Sequence, residues 1–100
     1  MRIKKGVRLR GLTPHMAVAV QIVGQVYMDN KIEPVITSVS DGNHSNGSLH
    51  HCGEAVDFET KSVSSPIVMD RIFRGIKANL GDEFDVVLES DHLHVEYDPK

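Results

Sequence analysis

The sequence predicts one small α+β domain in which two helices pack on one face of a small antiparallel sheet. Two segments place apolar residues at helical spacing, four short segments are rich in β-branched or aromatic residues, and the two kinds do not alternate regularly. The chain has 100 residues, 40% of them hydrophobic and 25% charged, which is an ordinary globular composition. We therefore expect a single domain over residues 1–100, whose modest core a bound metal ion could help to stabilise.

Each predicted helix begins at a hydroxyl residue that precedes a proline. Thr13 and Ser65 stand in these positions; their side chains can cap a helix, and proline suits the first helical residue. Apolar residues then recur every three or four positions. The first helix should end near Asn30 and the second at Gly81, which can adopt the backbone conformation that ends a helix.

The predicted strands cover residues 34–39, 55–58, 84–88 and 92–97, with a short extended piece at 7–9. The last two strands are separated by the turn 89–91 and should form an antiparallel hairpin. Residues 40–47, rich in Ser, Asn, Gly and Asp, form a loop.

Strand alternation separates the apolar side chains from the potential metal ligands. Successive side chains of a strand point to opposite faces of the sheet. The side chains expected to face the helices in the last strand are Leu93, Val95 and Tyr97, and those on the other face are His92, His94 and Glu96. Asp57 also opposes the apolar face of its own strand. The potential ligands should therefore gather on the uncovered face, where a substrate could reach them.

These imidazole and carboxylate groups predict a zinc site. Upstream of Asp57, the chain also offers His50, His51 and Cys52. Two histidines and one carboxylate would leave the fourth position of a tetrahedral zinc ion open for water, as in catalytic sites. The residue chemistry does not choose between His50 and His51. We interpret Cys52 as a small buried hydrophobe, although a thiolate is a good zinc ligand, and Asp57 as a ligand rather than a strand-end carboxylate.

Two motifs carry a resemblance to a known family. They are Ser48-x-His50-x-x-Gly53-x-Ala55-x-Asp57 and Asp91-His92-x-His94. Together they resemble the zinc peptidases of the hedgehog/DD-peptidase fold that cut peptidoglycan, namely the D-alanyl-D-alanine carboxypeptidases and dipeptidases and the phage L-alanyl-D-glutamate endopeptidases. The segments 36–38, 41–42, 44–45 and 91–97 are similar to the small phage-borne members, so the resemblance covers about the whole chain.

The resemblance implies a role for each motif residue. His50, Asp57 and His94 would bind one zinc ion. Asp91 matches the acidic general base, and His92 matches a histidine that assists the reaction without being a principal ligand. On a straight strand Asp91 would face away from His94, so it has to lie in the turn or beside a bulge to act there.

The chain departs from the family at one position. Larger relatives carry an arginine in the loop before the first zinc histidine, whereas residues 38–47 contain neither Arg nor Lys. Two hypotheses follow: a zinc peptidase that hydrolyses peptidoglycan stem peptides, in keeping with a phage origin, and a zinc-stabilised binding or virion-assembly module with the same fold. Asp91 favours the peptidase, because a purely structural zinc site would not need it.

Charge and segment composition restrict the remaining functions. The formal net charge is −3, so there is no global attraction to nucleic acid. Five basic residues among the first ten are interpreted as a solvated segment rather than an arm for an anionic polymer. One cysteine allows no internal disulfide, and no secretory signal or membrane span is visible. We expect no membrane partner. The protein should be synthesised in the cytoplasm, be found in the cytoplasm of a host bacterium or in a virion, and act on the cell wall.

Overall fold

The computed structural model describes residues 1–40 and 55–99 of the chain. Five strands and two helices follow one another in the order β1 (Arg2–Ile3), α1 (Pro14–Asp29), β2 (Val35–Ser40), β3 (Ala55–Glu59), α2 (Pro66–Leu80), β4 (Phe84–Leu88) and β5 (His92–Tyr97). The predicted α+β class is confirmed.

Both helices begin and end where local sequence signals predict. The Thr13 hydroxyl accepts a hydrogen bond from the Met16 amide at 3.4 Å, and the Ser65 hydroxyl accepts one from the Val68 amide at 3.3 Å. These bonds satisfy amides that the first turn of a helix leaves without intrahelical partners. Gly81 follows α2 with a φ of +81°, a conformation that is strained for residues with a side chain.

The sheet is mixed, so the prediction of an antiparallel sheet is wrong in one detail. Its strand order is β1-β2-β3-β5-β4, and every neighbouring pair is antiparallel except β1 and β2, which are parallel. The additional strand is Arg2–Ile3, whereas the extended piece predicted at residues 7–9 forms no strand. A two-residue strand has no alternation to detect, and its partner lies more than 30 residues away in the sequence.

The strand register gives the sheet one apolar face and one polar face. On the apolar face, Val56 pairs with Val95, and Val95 pairs in turn with Val86 on the edge strand. On the polar face Asp57 pairs with His94, and Glu59 pairs with His92. The predicted alternation in β3 and β5 is therefore confirmed.

Both helices contribute side chains to one core with the apolar face of the sheet. Its fully buried members include Tyr27 of α1, Ile72 of α2, and Phe58 and Leu93 of the sheet. The Tyr27 hydroxyl donates a hydrogen bond to the Glu59 carbonyl at 3.1 Å, which ties α1 to the end of β3. No helix in the described part of the chain is long and apolar enough to cross a membrane. The core thus leaves the polar face of the sheet uncovered by the two helices.

Candidate metal and catalytic site

The centre of the candidate site is a cross-strand pair formed by Asp57 of β3 and His94 of β5. The two residues are directly opposite in the antiparallel register, and His94 Nδ1 lies 2.7 Å from Asp57 Oδ1. About a quarter of each side chain is exposed, so both groups are accessible from the polar face. The predicted approach of Asp57 and His94 on this face is confirmed.

Glu96 occupies the other side of the His94 ring. Its Oε1 lies 3.0 Å from His94 Nε2, and the two residues are two positions apart on the same face of β5. Burial alone would lower the pKa of His94, but hydrogen bonds to Glu96 and Asp57 outweigh burial and raise it. Both carboxylates are acceptors, so without a metal Nδ1 donates its proton to Asp57, and Nε2, when it is protonated, donates to Glu96. A zinc ion bound at Nδ1 would replace the proton on that nitrogen.

A second group of ionisable side chains surrounds His92 at the start of β5. His92 Nδ1 lies 2.6 Å from Asp91 Oδ1, and its Nε2 lies 3.6 Å from Glu89 Oε2 and 4.0 Å from Asp57 Oδ2. The hydrogen bond between Asp91 and His92 raises the pKa of the imidazole and lowers that of the carboxyl group. At neutral pH Asp91 is therefore an ionised carboxylate, and His92 retains a proton more readily than a free histidine does.

Asp91 reaches this group because it lies in the hairpin turn. The Glu89 amide donates to the His92 carbonyl at 2.9 Å, which closes the β4–β5 hairpin around Ser90 and Asp91. The turn placement required of Asp91 is confirmed, and its carboxylate is largely exposed. The alternation of β5 alone would have put Asp91 on the apolar face.

An open cleft of about 340 Å³ adjoins these two groups, and we call it the open-face cleft. Its walls include Asp57, Asp91 and His92. Thr37 also lines it and lies where the pairing of β2 with β3 shifts by one residue; the Thr37 hydroxyl donates to the Asp57 carbonyl at 3.4 Å. His94 is not one of the residues that line the cleft, but it contacts Asp57, which does. A substrate in this cleft would contact both the predicted metal ligand and the predicted base.

The donor atoms of Asp57 and His94 fit a zinc ion after a small adjustment. Two donors that share a tetrahedral zinc ion at about 2.0–2.1 Å lie about 3.3 Å apart. The observed separation is 2.7 Å, so side-chain rotations that widen it by about 0.6 Å would admit the ion. Within residues 1–40 and 55–99, no three His, Cys, Asp or Glu side chains are grouped to hold a metal. The predicted third ligand, His50, lies outside the described residues.

Three other sequence predictions also concern residues between the two described ranges. His51 and Cys52, the alternatives to His50, and the loop that follows Ser40 lie outside the described residues. Three described residues beside the site were not predicted to belong to it: Glu59, Glu89 and Lys4. Strand alternation could have found Glu59, which is two positions after Asp57, whereas Lys4 enters the cleft only because β1 joins the sheet.

Comparison with known proteins identifies no relative. No protein-family model, curated protein or solved structure matches the chain. The function is therefore inferred from the site geometry and from the sequence motifs.

Proposed function

We propose that this protein is a zinc-dependent peptidase of the hedgehog/DD-peptidase fold that hydrolyses a peptide bond in peptidoglycan stem peptides, either D-Ala-D-Ala or L-Ala-D-Glu. The observation that carries the proposal is the 2.7 Å approach of His94 to Asp57 beside a cleft that Asp91 and His92 also line. Two donors of the type that zinc prefers thus stand next to an acid–base pair on an accessible face.

Asp57 and His94 would hold the metal together with His50. Bound zinc supplies an activated water nucleophile at neutral pH and polarises carbonyl groups. With the metal at Nδ1, His94 Nε2 would carry the remaining proton and donate it to Glu96, 3.0 Å away, and this bond would orient the imidazole. This outer contact resembles the carboxylate–histidine pairs that orient metal ligands in many zinc proteins.

Asp91 and His92 would divide the proton transfers between them. Asp91 is ionised at neutral pH, so it can accept a proton from the attacking water and return one to the leaving amine. His92 is the group with the raised pKa, so it can donate a hydrogen bond to the negative oxygen that develops on the scissile carbonyl.

A non-catalytic zinc-stabilised binding or virion-assembly module is the second candidate. The observation that favours it is that both ring nitrogens of His94 already have carboxylate partners, Asp57 and Glu96, within the chain. Such hydrogen bonds can stabilise the fold without any part in catalysis. The absence of Arg and Lys from residues 38–47 points in the same direction.

Digestion of purified peptidoglycan separates the two candidates. The full chain is incubated with cell walls in the presence of zinc, with chelator, and after zinc is restored, and new amino termini are measured. Asp91→Asn is the test variant. Asp82→Asn is the matched control, because Asp82 is an exposed carboxylate that precedes the first residue of β4, whereas Asp91 follows its last.

The peptidase proposal predicts amino-terminus release that chelator abolishes, zinc restores and Asp91→Asn reduces at least about 100-fold, as expected for loss of a general base. Release that persists in chelator or in Asp91→Asn contradicts the mechanism. Zinc binding without any release supports the module instead.

A further inference from the structure

Two lysines line the open-face cleft beside the acidic side chains. They are Lys4, just after β1, and Lys61, just after β3. The Lys61 ammonium lies 3.4 Å from Glu59 Oε1, so this charge already has a carboxylate partner. Lys4 makes no ion pair with any residue in the described ranges. Among the described residues that line the cleft, Lys4 is therefore the cation without a carboxylate partner.

The backbone of Lys4 is fixed against the sheet. Its amide donates to the Ile36 carbonyl at 2.8 Å, and its carbonyl accepts a hydrogen bond from the Val7 amide at 3.0 Å. Ile3 pairs with Ile36, which is fully buried in the core. Because alternation puts Lys4 on the opposite face from Ile3, its side chain belongs to the polar face, in agreement with its place in the cleft. Only the side chain needs to be ordered when a ligand binds.

The charges of the cleft make anion binding depend on the metal. Three carboxylates, those of Asp57, Glu59 and Asp91, face two lysines, so the side-chain charges of the metal-free cleft do not favour an anion. A divalent cation held by Asp57 would reverse that balance. An anionic group that enters the loaded cleft would then meet the Lys4 ammonium at a site of net positive charge.

Both candidate scissile bonds offer the same anionic group. In D-Ala-D-Ala, the residue after the bond carries the terminal α-carboxylate. In L-Ala-D-Glu, the glutamate continues the stem through its γ-carboxyl group, so its α-carboxylate is also free. The shared chemistry is an α-carboxylate on the residue that follows the scissile bond.

We propose that Lys4 binds this α-carboxylate and so makes the site specific for peptides that carry it. The inference rests on the proposed peptidase function and deepens it. It assigns to the N-terminal strand the cationic role for which residues 38–47 provide no Arg or Lys. An ammonium–carboxylate contact is a charge-assisted hydrogen bond, which is stronger than a neutral one. Lys4 is a specificity-determining residue and takes no part in the proton transfers.

Matched peptide pairs test this role. One pair ends in D-Ala-D-Ala as free acid or as amide, and the other contains L-Ala-γ-D-Glu with the α-carboxyl group free or amidated. Affinity is measured by calorimetry on the zinc-loaded Asp91→Asn protein, which keeps the metal ligands, and KM and kcat are measured on protein with Asp91 intact. Lys4→Gln is combined with each background; Lys4→Arg is the conservative variant, and Lys5→Gln removes a neighbouring exposed charge that does not line the cleft.

We expect the protein with Lys4 to bind the acid of one pair about tenfold more tightly than its amide, and Lys4→Gln to abolish this preference by weakening acid binding alone. In turnover the loss should appear in KM. Lys4→Arg should retain most of the preference and Lys5→Gln all of it. The pair that shows the preference identifies the bond.

Equal affinity for acid and amide, no binding of either, or a preference that survives in Lys4→Gln would each overturn the role of Lys4. These results are distinct from failure of the peptidase proposal. If the acid is preferred through Lys4 but no peptide is cleaved, the anion subsite stands and the hydrolytic function does not.

Discussion

Removal of the Glu96 carboxylate should weaken zinc binding by the site while leaving every proposed ligand in place. Glu96 Oε1 is 3.0 Å from His94 Nε2, and about a third of its side chain is exposed. Loss of a hydrogen-bond partner of a metal-bound histidine typically costs about 10- to 100-fold in metal affinity, or about 1.4–2.7 kcal/mol. Because Glu96 is partly exposed, Glu96→Ala should fall near the lower end of this range. Glu96→Gln, which keeps an acceptor oxygen but loses the charge, should fall between alanine and the native residue.

A competition titration against a chromophoric zinc chelator measures this effect. It is best performed at about pH 8.5, since Glu96 also helps to hold a proton on His94, and proton competition at lower pH would hide part of the loss. Glu83→Ala is the matched control, because this exposed glutamate precedes β4 and lies outside the cleft lining. Unchanged zinc affinity in Glu96→Ala would refute the assignment of Glu96 as the group that orients His94.

Two further predictions concern pH and stability. In chelator, the melting temperature should fall as pH rises from about 6 to 9: the pKa values of His92 and His94 are raised above 6.5, so their contribution is complete below 6.5 and is lost as pH rises through the folded-state values. His94→Gln should reduce this slope and saturating zinc should reverse it, because zinc displaces protons from its ligands; a slope unaffected by either change would contradict the proposed linkage. Tyr27→Phe should destabilise the fold by about 1 kcal/mol, or about 4–8 °C, by removing the bond to the Glu59 carbonyl. Denaturation that is unchanged in Tyr27→Phe would show that this bond contributes nothing.

The features that the sequence predicts correctly depend on short-range physics. The helix boundaries follow from Thr13, Ser65 and Gly81, each of which acts on backbone groups within four residues of itself. The shared face of Asp57 and His94 follows from strand alternation, which needs only the correct strands and their apolar sides. The position of Asp91 in the turn is also a local feature, because residues 89–91 directly connect two predicted strands.

The features that the sequence does not predict depend on long-range pairing. The parallel addition of Arg2–Ile3 to β2 is made by backbone hydrogen bonds to residues far along the sequence, from the Arg2 amide to Pro34 and from the Lys4 amide to Ile36, and it carries Lys4 into the cleft. The shift in pairing between Ile36 and Ser38 likewise has no local signal, although it places Thr37 beside Asp57. The contact of Glu89 with His92 could not be predicted either, because periodicity and sequence spacing do not give distances between side chains.

The central claim is that Asp57 and His94 together bind a metal ion on the polar face of the sheet. Cobalt(II) substitution followed by visible absorption tests it most directly, because the d–d bands report both coordination number and ligand type. The account predicts tetrahedral bands for the native chain, their loss in Asp57→Ala and in His94→Ala, and their retention in His15→Gln, a control histidine that stacks on Tyr97 instead. Tetrahedral bands that persist at full intensity in both alanine variants would contradict the account.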